Sequence, residues 1–281
     1  MKKSYVGEGK VVLIAGAGKV YADVAARFCH SNKDLEDIIA SPYNKKIVEN
    51  IINAGHYAAL EFDNFIFGIE GYSRVTEVQL VRKRLASYMI SSGRDERNGK
   101  REFSVVLPKD KRLGDIYGEA VVDPKHIKLI GSDGNGMDIL SEFGGCGARV
   151  AINGNELLNL MESFYNNAVQ AGVKEEDARY FKPQATAFKC ILSMNAHALR
   201  DWFKIRCCMN AASEIRDLAW KMLKLCKEAK PDMFVDAGPS CIATGFCPEN
   251  KRQNTACKAA GKYKTLDEAR AIIYGIDEKS E

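Results

Sequence analysis

The most chemically loaded stretch of the chain runs Gln79-Leu-Val-Arg82-Lys83-Arg84-Leu-Ala-Ser87-Tyr-Met-Ile-Ser-Ser92-Gly93-Arg94. Guanidinium groups carry a planar fork of N–H donors that matches a phosphate or carboxylate two bonds at a time. Three adjacent cations followed by Ser92 and Arg94 therefore describe an anion-binding constellation, with a solvated basic face as the competing reading. His56, placed just after Gly55, reads either as a helix-end histidine or as a base.

The elements that must position these groups are partly readable. Val11–Lys19 reads as a buried strand running into a glycine turn, and Tyr21–Cys29 as a helix. Because Tyr21 stands where a dinucleotide-binding turn needs its third glycine, an ordinary strand-turn-helix is expected. Ile47–Ala54 reads as a helix closed by Gly55, and Phe62–Tyr72 as a strand alternating Phe65, Phe67 and Ile69. Glu77–Ser91 reads as a basic helix and Phe103–Pro108 as a strand. Residues 109–153 are glycine-rich and lack a sustained period, an excursion from the domain.

Asn155–Gly172 carries a helical stripe of Leu157, Leu158, Met161, Phe164 and Val169. Helical spacing also runs from Asn195 to Glu228, which as one helix would be about 50 Å long at 1.5 Å per residue. A short amphipathic helix is expected near Leu266–Tyr274. The domain organisation expected is one catalytic domain over 1–230 and a Cys/Gly/Pro-containing tail over 231–281.

A net charge of 41 − 37 = +4 over 281 residues is too small for a nucleic-acid binder, and no aromatic residues interleave the cations as stacking would require. No apolar run reaches the roughly 18–20 residues of a membrane span. A cytoplasmic protein without a signal peptide is expected. Nine cysteines, two of them adjacent, argue for reduced thiols over a disulfide framework. Cys241, Cys247 and Cys257 have spacings unlike common zinc ribbons and read as reduced thiols in a loose tail, so no metal site is expected. The alternative is a metal site completed by Cys226 or by another subunit.

The spacing Arg-x-Arg-x-x-Ser-x-x-x-x-Ser-x-Arg resembles the signature of the flavin-dependent thymidylate synthases, the thymidylate synthase complementing proteins. Gly55-His56 with Leu60-Glu61, Phe65–Arg74, Glu176–Pro183, Asn195–Arg206 and Ala212–Arg216 resemble further family elements in the same order. The resemblance implies an α+β fold, a mixed sheet with long helices, assembled as a homotetramer with FAD between subunits. It implies reductive methylation of dUMP to dTMP, with NADPH and methylenetetrahydrofolate as co-substrates.

Carried over by position, the resemblance assigns Gln79, Arg82, Ser92, Gly93, Arg94 and Arg179 to the nucleotide. Arg206 is assigned to negative charge on the uracil ring and His56 to the reacting rings. Arg82, Lys83, Arg84, Asn195, His197 and Asp201 fall at flavin-contacting positions. Lys83 replaces a family histidine, Met89-Ile90 replace polar residues, Phe62 replaces a histidine and His197 an arginine. These departures keep two other readings open: a paralogue alkylating another pyrimidine nucleotide, and a nucleotide-binding protein that has lost flavin chemistry.

Overall fold

The computed structural model describes residues 1–16, 18–91, 103–122, 128–130, 136–138, 148–248, 257 and 262–274. In chain order these form β1 (Lys2–Tyr5), β2 (Lys10–Ala15), α1 (Ala22–His30), α2 (Leu35–Ala40), α3 (Lys45–Asn53), β3 (Asn64–Ser73), α4 (Arg74–Leu80), β4 (Ser87–Ile90) and β5 (Ser104–Leu107). Next come β6 (Tyr117–Val122), β7 (Lys128–Ile130), β8 (Gly136–Asp138), β9 (Ala148–Asn153), α5 (Gly154–Gln170), α6 (Glu175–Ala178) and β10 (Ala187–Asn195). The chain closes with α7 (Ala196–Arg206), α8 (Ser213–Ala229), α9 (Pro231–Phe234), α10 (Ser240–Thr244), β11 (Phe246–Cys247), β12 (Lys264–Thr265) and α11 (Leu266–Tyr274). Contacts divide it into a smaller unit, Met1–Lys3 with Gly93–Pro183, and a larger one, Ser4–Ser92 with Gln184–Glu281.

The larger unit is built on a four-stranded sheet of order β2-β3-β10-β4. The expected mixed sheet is corrected here: all three of its ladders are antiparallel, and the parallel pairing is between β11 and β12. Phe65, Phe67 and Ile69 of β3 lie opposite Met194, Leu192 and Cys190 of β10. All six are buried, in one core with Leu199 and Phe203 of α7 and Ile215, Leu218 and Met222 of α8. The alternation read in the sequence is therefore real, with the period of two placing these side chains on one face.

The expectation of a buried first strand is corrected, because β2 is an edge and Val12 and Ile14 are exposed. Val12, Gly68, Ile191 and Met89 are register neighbours across all four strands, forming an apolar row on the outer face. Gly16 serves packing: a Cβ there would lie 2.5 Å from Phe65 Cδ1.

Two expected helices are also corrected. The reading of Glu77–Ser91 as one helix fails because α4 stops at Leu80, and Ser87–Ile90 pairs with Ser193–Cys190 of β10. The cations Arg82, Lys83 and Arg84 thus sit in a turn. The single helix expected over Asn195–Glu228 is two helices, interrupted at Cys207–Ala212. Side chains of α8 cover the carbonyls freed by this break. Arg216 Nη1 donates to Met209 O at 2.8 Å and Ala211 O at 2.9 Å, and Trp220 Nε1 donates to Cys207 O at 3.2 Å.

Buried polar groups fix where the helices begin. The Asp63 carboxylate accepts from the Tyr21 and Ala22 N–H groups, capping α1. Its backbone carbonyl accepts from Ala196 N–H at the start of α7. The Arg200 guanidinium, 2% exposed, forms two 2.8 Å bonds to Asp236. Burial opposes the Asp236 charge, but the bonds and charge of Arg200 prevail and hold its carboxyl below the ordinary range.

In the smaller unit, β6–β9 and β7–β8 form antiparallel ladders within the glycine-rich stretch. A capping box between Asn153 and Glu156 starts α5. The apolar stripe expected to bury α5 does not: Leu157 and Phe164 are exposed, and Tyr165 is the buried residue of this helix. Among the described residues, no helix is long and apolar enough to cross a membrane.

Truncating Leu192 at the centre of the β3–β10 ladder (Leu192→Ala) is expected to cost about 2–5 kcal/mol in urea unfolding. The depressed Asp236 pKa stabilises the fold above the ordinary aspartate value of 3.8, and that stability is lost as pH falls through the folded value. Asp236→Asn should accordingly flatten the acid limb of a stability profile measured by thermal melts between pH 5 and 2.

Candidate active site

Ser73 ends β3 and precedes α4, while Glu214 opens α8. The Glu214 carboxylate, largely buried, accepts from Ser73 N–H and Ser73 Oγ–H, both at 2.6 Å. This bridge brings the end of α4 to the end of α7. There Arg206 Nη2 donates to Gln79 O at 3.2 Å, and the Arg82 guanidinium stands close enough to repel it. Burial first, and then the Arg82 charge, pull the Arg206 guanidinium below its usual range. Two neighbouring guanidiniums, neither paired with a carboxylate among the described residues, make a cradle for an anion.

The turn carrying Arg82–Arg84 is pinned by a residue the sequence reading did not single out. Tyr88 Oη donates to Leu80 O at 3.0 Å and Lys83 O at 2.8 Å. Burial, with Cys190 nearby, pushes its phenol up to about 12, so it remains a donor across the neutral range. Among the described residues no carboxylate pairs with Arg82, Lys83 or Arg84. Ile90, a departure from the family pattern, is paired with Cys190 in the sheet and packs on the core.

A second polar group lies at the other end of α7. His197 Nδ1 is 3.0 Å from Glu61 Oε1, His197 Nε2 is 3.7 Å from Asp201 Oδ2, and Lys204 Nζ donates to Asp201 Oδ1 at 3.0 Å. The Tyr57 ring packs among them, 5.7 Å from the His197 ring and 5.5 Å from Lys204 Nζ, with Arg200 at 5.0 Å. Glu61 thus has His197 as its partner. The oxygen of Asn195 accepts from Ala198 N–H at 2.7 Å, capping α7, so its amide hydrogens are the groups best placed for a ligand. His56 is exposed immediately before the 3₁₀ turn Tyr57–Phe62 that supplies Tyr57 and Glu61.

The two groups do not share a face. Asp201 and Lys204 follow His197 by four and seven residues, on its own side of the helix. Arg206 follows by nine, which at about 100° per residue is the opposite side, and about 14 Å further along the axis. Of the nucleotide set, Gln79, Arg82 and Arg206 come together; Ser92, Gly93 and Arg94 lie outside the described residues. Arg179 belongs to the smaller unit, where its Nε donates to Glu176 O at 3.2 Å.

The family model described as thymidylate synthase complementing protein matches residues 15–232. A flavin-dependent thymidylate synthase of Geobacter sulfurreducens is 32% identical over 246 residues, covering 86% of this chain and 90% of the relative. One from Clostridium tetani is 30% identical over 86% of this chain and 89% of its own, and one from Thermococcus kodakarensis 34% over 78% and 79%. Among solved structures, a UMP/dUMP methylase PolB from Streptomyces cacaoi bound with 5-Br dUMP superposes with a TM-score of 0.60 at 17% identity. The match covers 84% of this chain and 96% of PolB, and shows the shared fold. With a family model spanning most of its length and relatives of this identity, the chain belongs to the thymidylate synthase complementing protein family.

Proposed function

We propose that the chain is a flavin-dependent thymidylate synthase that methylates dUMP to dTMP with FAD, drawing on NADPH and methylenetetrahydrofolate, in the cytoplasm. The observation that carries this reading is that Arg206 donates to Gln79 O beside the Arg82 guanidinium, a cationic cradle with no paired carboxylate among the described residues. Arg206, half-buried and permanently charged, suits negative charge that develops on a pyrimidine ring as C5 becomes nucleophilic. Arg82 suits the nucleotide, to which the family resemblance also assigns Ser92, Gly93, Arg94 and Arg179. The catalytic machinery falls within residues 1–230, with 231–281 as an appended tail.

The residues present fit a flavin. Arg82, Lys83 and Arg84, free of carboxylate partners among the described residues, suit its pyrophosphate, and Asn195, His197 and Asp201 offer a polar edge to its ring. When bound, FAD would supply the redox chemistry, with the one-carbon unit coming from methylenetetrahydrofolate. The chain's own tasks are to orient the nucleotide, hold its charge and exclude water. His56, exposed at the turn beside this polar edge, serves the reacting rings.

Flavin-side and nucleotide-side residues on opposite faces of α7 serve one flavin–nucleotide pair when two copies of the chain face each other. The apolar row Val12, Gly68, Ile191 and Met89 gives the outer face of the sheet a reason to be covered. Both features support a homotetramer.

Purified protein incubated with FAD and desalted should retain a flavin spectrum, bleach with NADPH without oxygen, and convert dUMP to dTMP with methylenetetrahydrofolate. A colourless protein, or flavin oxidation of NADPH with no dTMP, would sink the proposal. Arg206→Lys keeps the charge but loses the fork, and is expected to lower kcat by about 10²–10³ with flavin retained. Tyr88→Phe releases the basic turn; we expect a loss of about 1 kcal/mol in stability and a raised KM for dUMP with kcat little changed.

A further inference from the structure

The larger unit holds a cavity of about 320 Å³ that the proposed reaction does not use. Its walls are the start of α1, the connection between α2 and α3, and the junction of α8 with α9. Glu214, at the start of α8, secures the cradle, whereas Ala229, at its end, lines the cavity. The 17 residues of α8 span about 25 Å at 1.5 Å per residue, so the two places are well separated.

Two buried carboxylates line this cavity with acceptor capacity left over. Asp23 is 1% exposed; its Oδ2 accepts from Asn44 N–H at 3.1 Å and lies 3.5 Å from Arg27 Nη2, but its Oδ1 is buried with no partner. Asp232, the second residue of α9, is 9% exposed and makes no hydrogen bond or ion pair among the described residues. The lysines of the same wall are engaged elsewhere. Lys230 Nζ donates to Gly18 O, and Lys19 Nζ lies 5.6 Å from the centre of the Tyr21 ring. A carboxylate taken out of water is costly without donors or a counter-charge, and an unmatched buried acceptor points to a donor from outside the chain.

We propose that this cavity binds a small aliphatic primary amine, its ammonium on Asp232 and Asp23 and its hydrocarbon stem along Val20 and Val24. An ammonium brings three N–H donors and a full positive charge, whereas water brings two donors and leaves the carboxylate charge uncompensated. Ser41 Oγ, which already donates to Asp37 O at 2.7 Å, keeps its lone pairs to accept a third N–H. A metal ion suits the place less well: hard divalent cations want about six oxygens, and among the described residues no three His, Cys, Asp or Glu side chains form a metal-binding group. Lys19, exposed on the same wall, opposes a second ammonium and favours a carboxylate at the far end of the ligand. Asp63, whose carboxylate caps α1 beside Asp23, also accepts Ala196 N–H at the start of α7, so an occupant bears on two helix starts at once. This site lies outside the enzymatic reading and does not rest on it.

The test is calorimetric titration of the full chain with butylamine, γ-aminobutyrate and, as a neutral counterpart, butanol. We expect both amines to bind saturably at one site per chain, γ-aminobutyrate the more tightly, and butanol not to bind. Asp232→Asn should weaken both amines by about tenfold or more. Lys19→Met changes an exposed side chain and should remove the advantage of γ-aminobutyrate while leaving butylamine binding intact. Should Asp232→Asn fail to fold, amide hydrogen exchange on the unmodified chain decides the matter, with butylamine slowing exchange in residues 20–26 and 229–233. No saturable binding of either amine, equal binding of butanol, amine affinity untouched by Asp232→Asn, or protection confined to other segments overturns the proposal. None of these readouts needs flavin or turnover, so their failure leaves the enzymatic proposal standing.

Discussion

The bond pair between Glu214 and Ser73 is the constraint on which the candidate site depends. Gln79 and Arg82 descend from α4, which Ser73 precedes; Arg206 ends α7, just before Glu214 opens α8. A carboxylate taken out of water needs its lone pairs satisfied, and Ser73 satisfies both of its oxygens with an N–H and an O–H at 2.6 Å. Removing the carboxylate leaves the Ser73 groups buried and unpaired, and frees the two helices to slide. The site therefore rests on a buried polar contact between segments 141 residues apart.

That separation explains what the sequence discloses and what it hides. β3, α3 and α11 were legible because their signals are local: alternating Phe65, Phe67 and Ile69, Gly55 in a left-handed turn, an amphipathic tail pattern. The break between α7 and α8 was not, since Cys207–Ala212 contains no glycine or proline. It is stabilised by Arg216 and Trp220 reaching back from α8. β4 was hidden in the same way, because four residues become a strand only when β10 is available to pair with.

The site divides similarly. The chemistry of Arg82 and Arg206 was readable as residue type and spacing, but their convergence is tertiary. Tyr88 carried no motif at all; only its two bonds to the backbone of the basic turn reveal it. Asn195, assigned to flavin by resemblance, has a prior commitment as the cap of α7. Ile90, which as a site residue would strand a polar partner, belongs to the sheet.

Two guanidiniums near one another are an unfavourable resting arrangement, and its tolerance follows from where the helices end. Arg206 is the last residue of α7, at the negative end of the helix dipole. It also donates to Gln79 O, one of the last carbonyls of α4, so backbone oxygens stand in for the missing anion. These oxygens are neutral dipoles and do not cancel a full positive charge; burial first, and then the Arg82 charge, lower the Arg206 pKa. An anion placed there would replace partial charges with a full one. A carboxylate of the protein in the same place would have stabilised the fold more and left nothing for a substrate to gain.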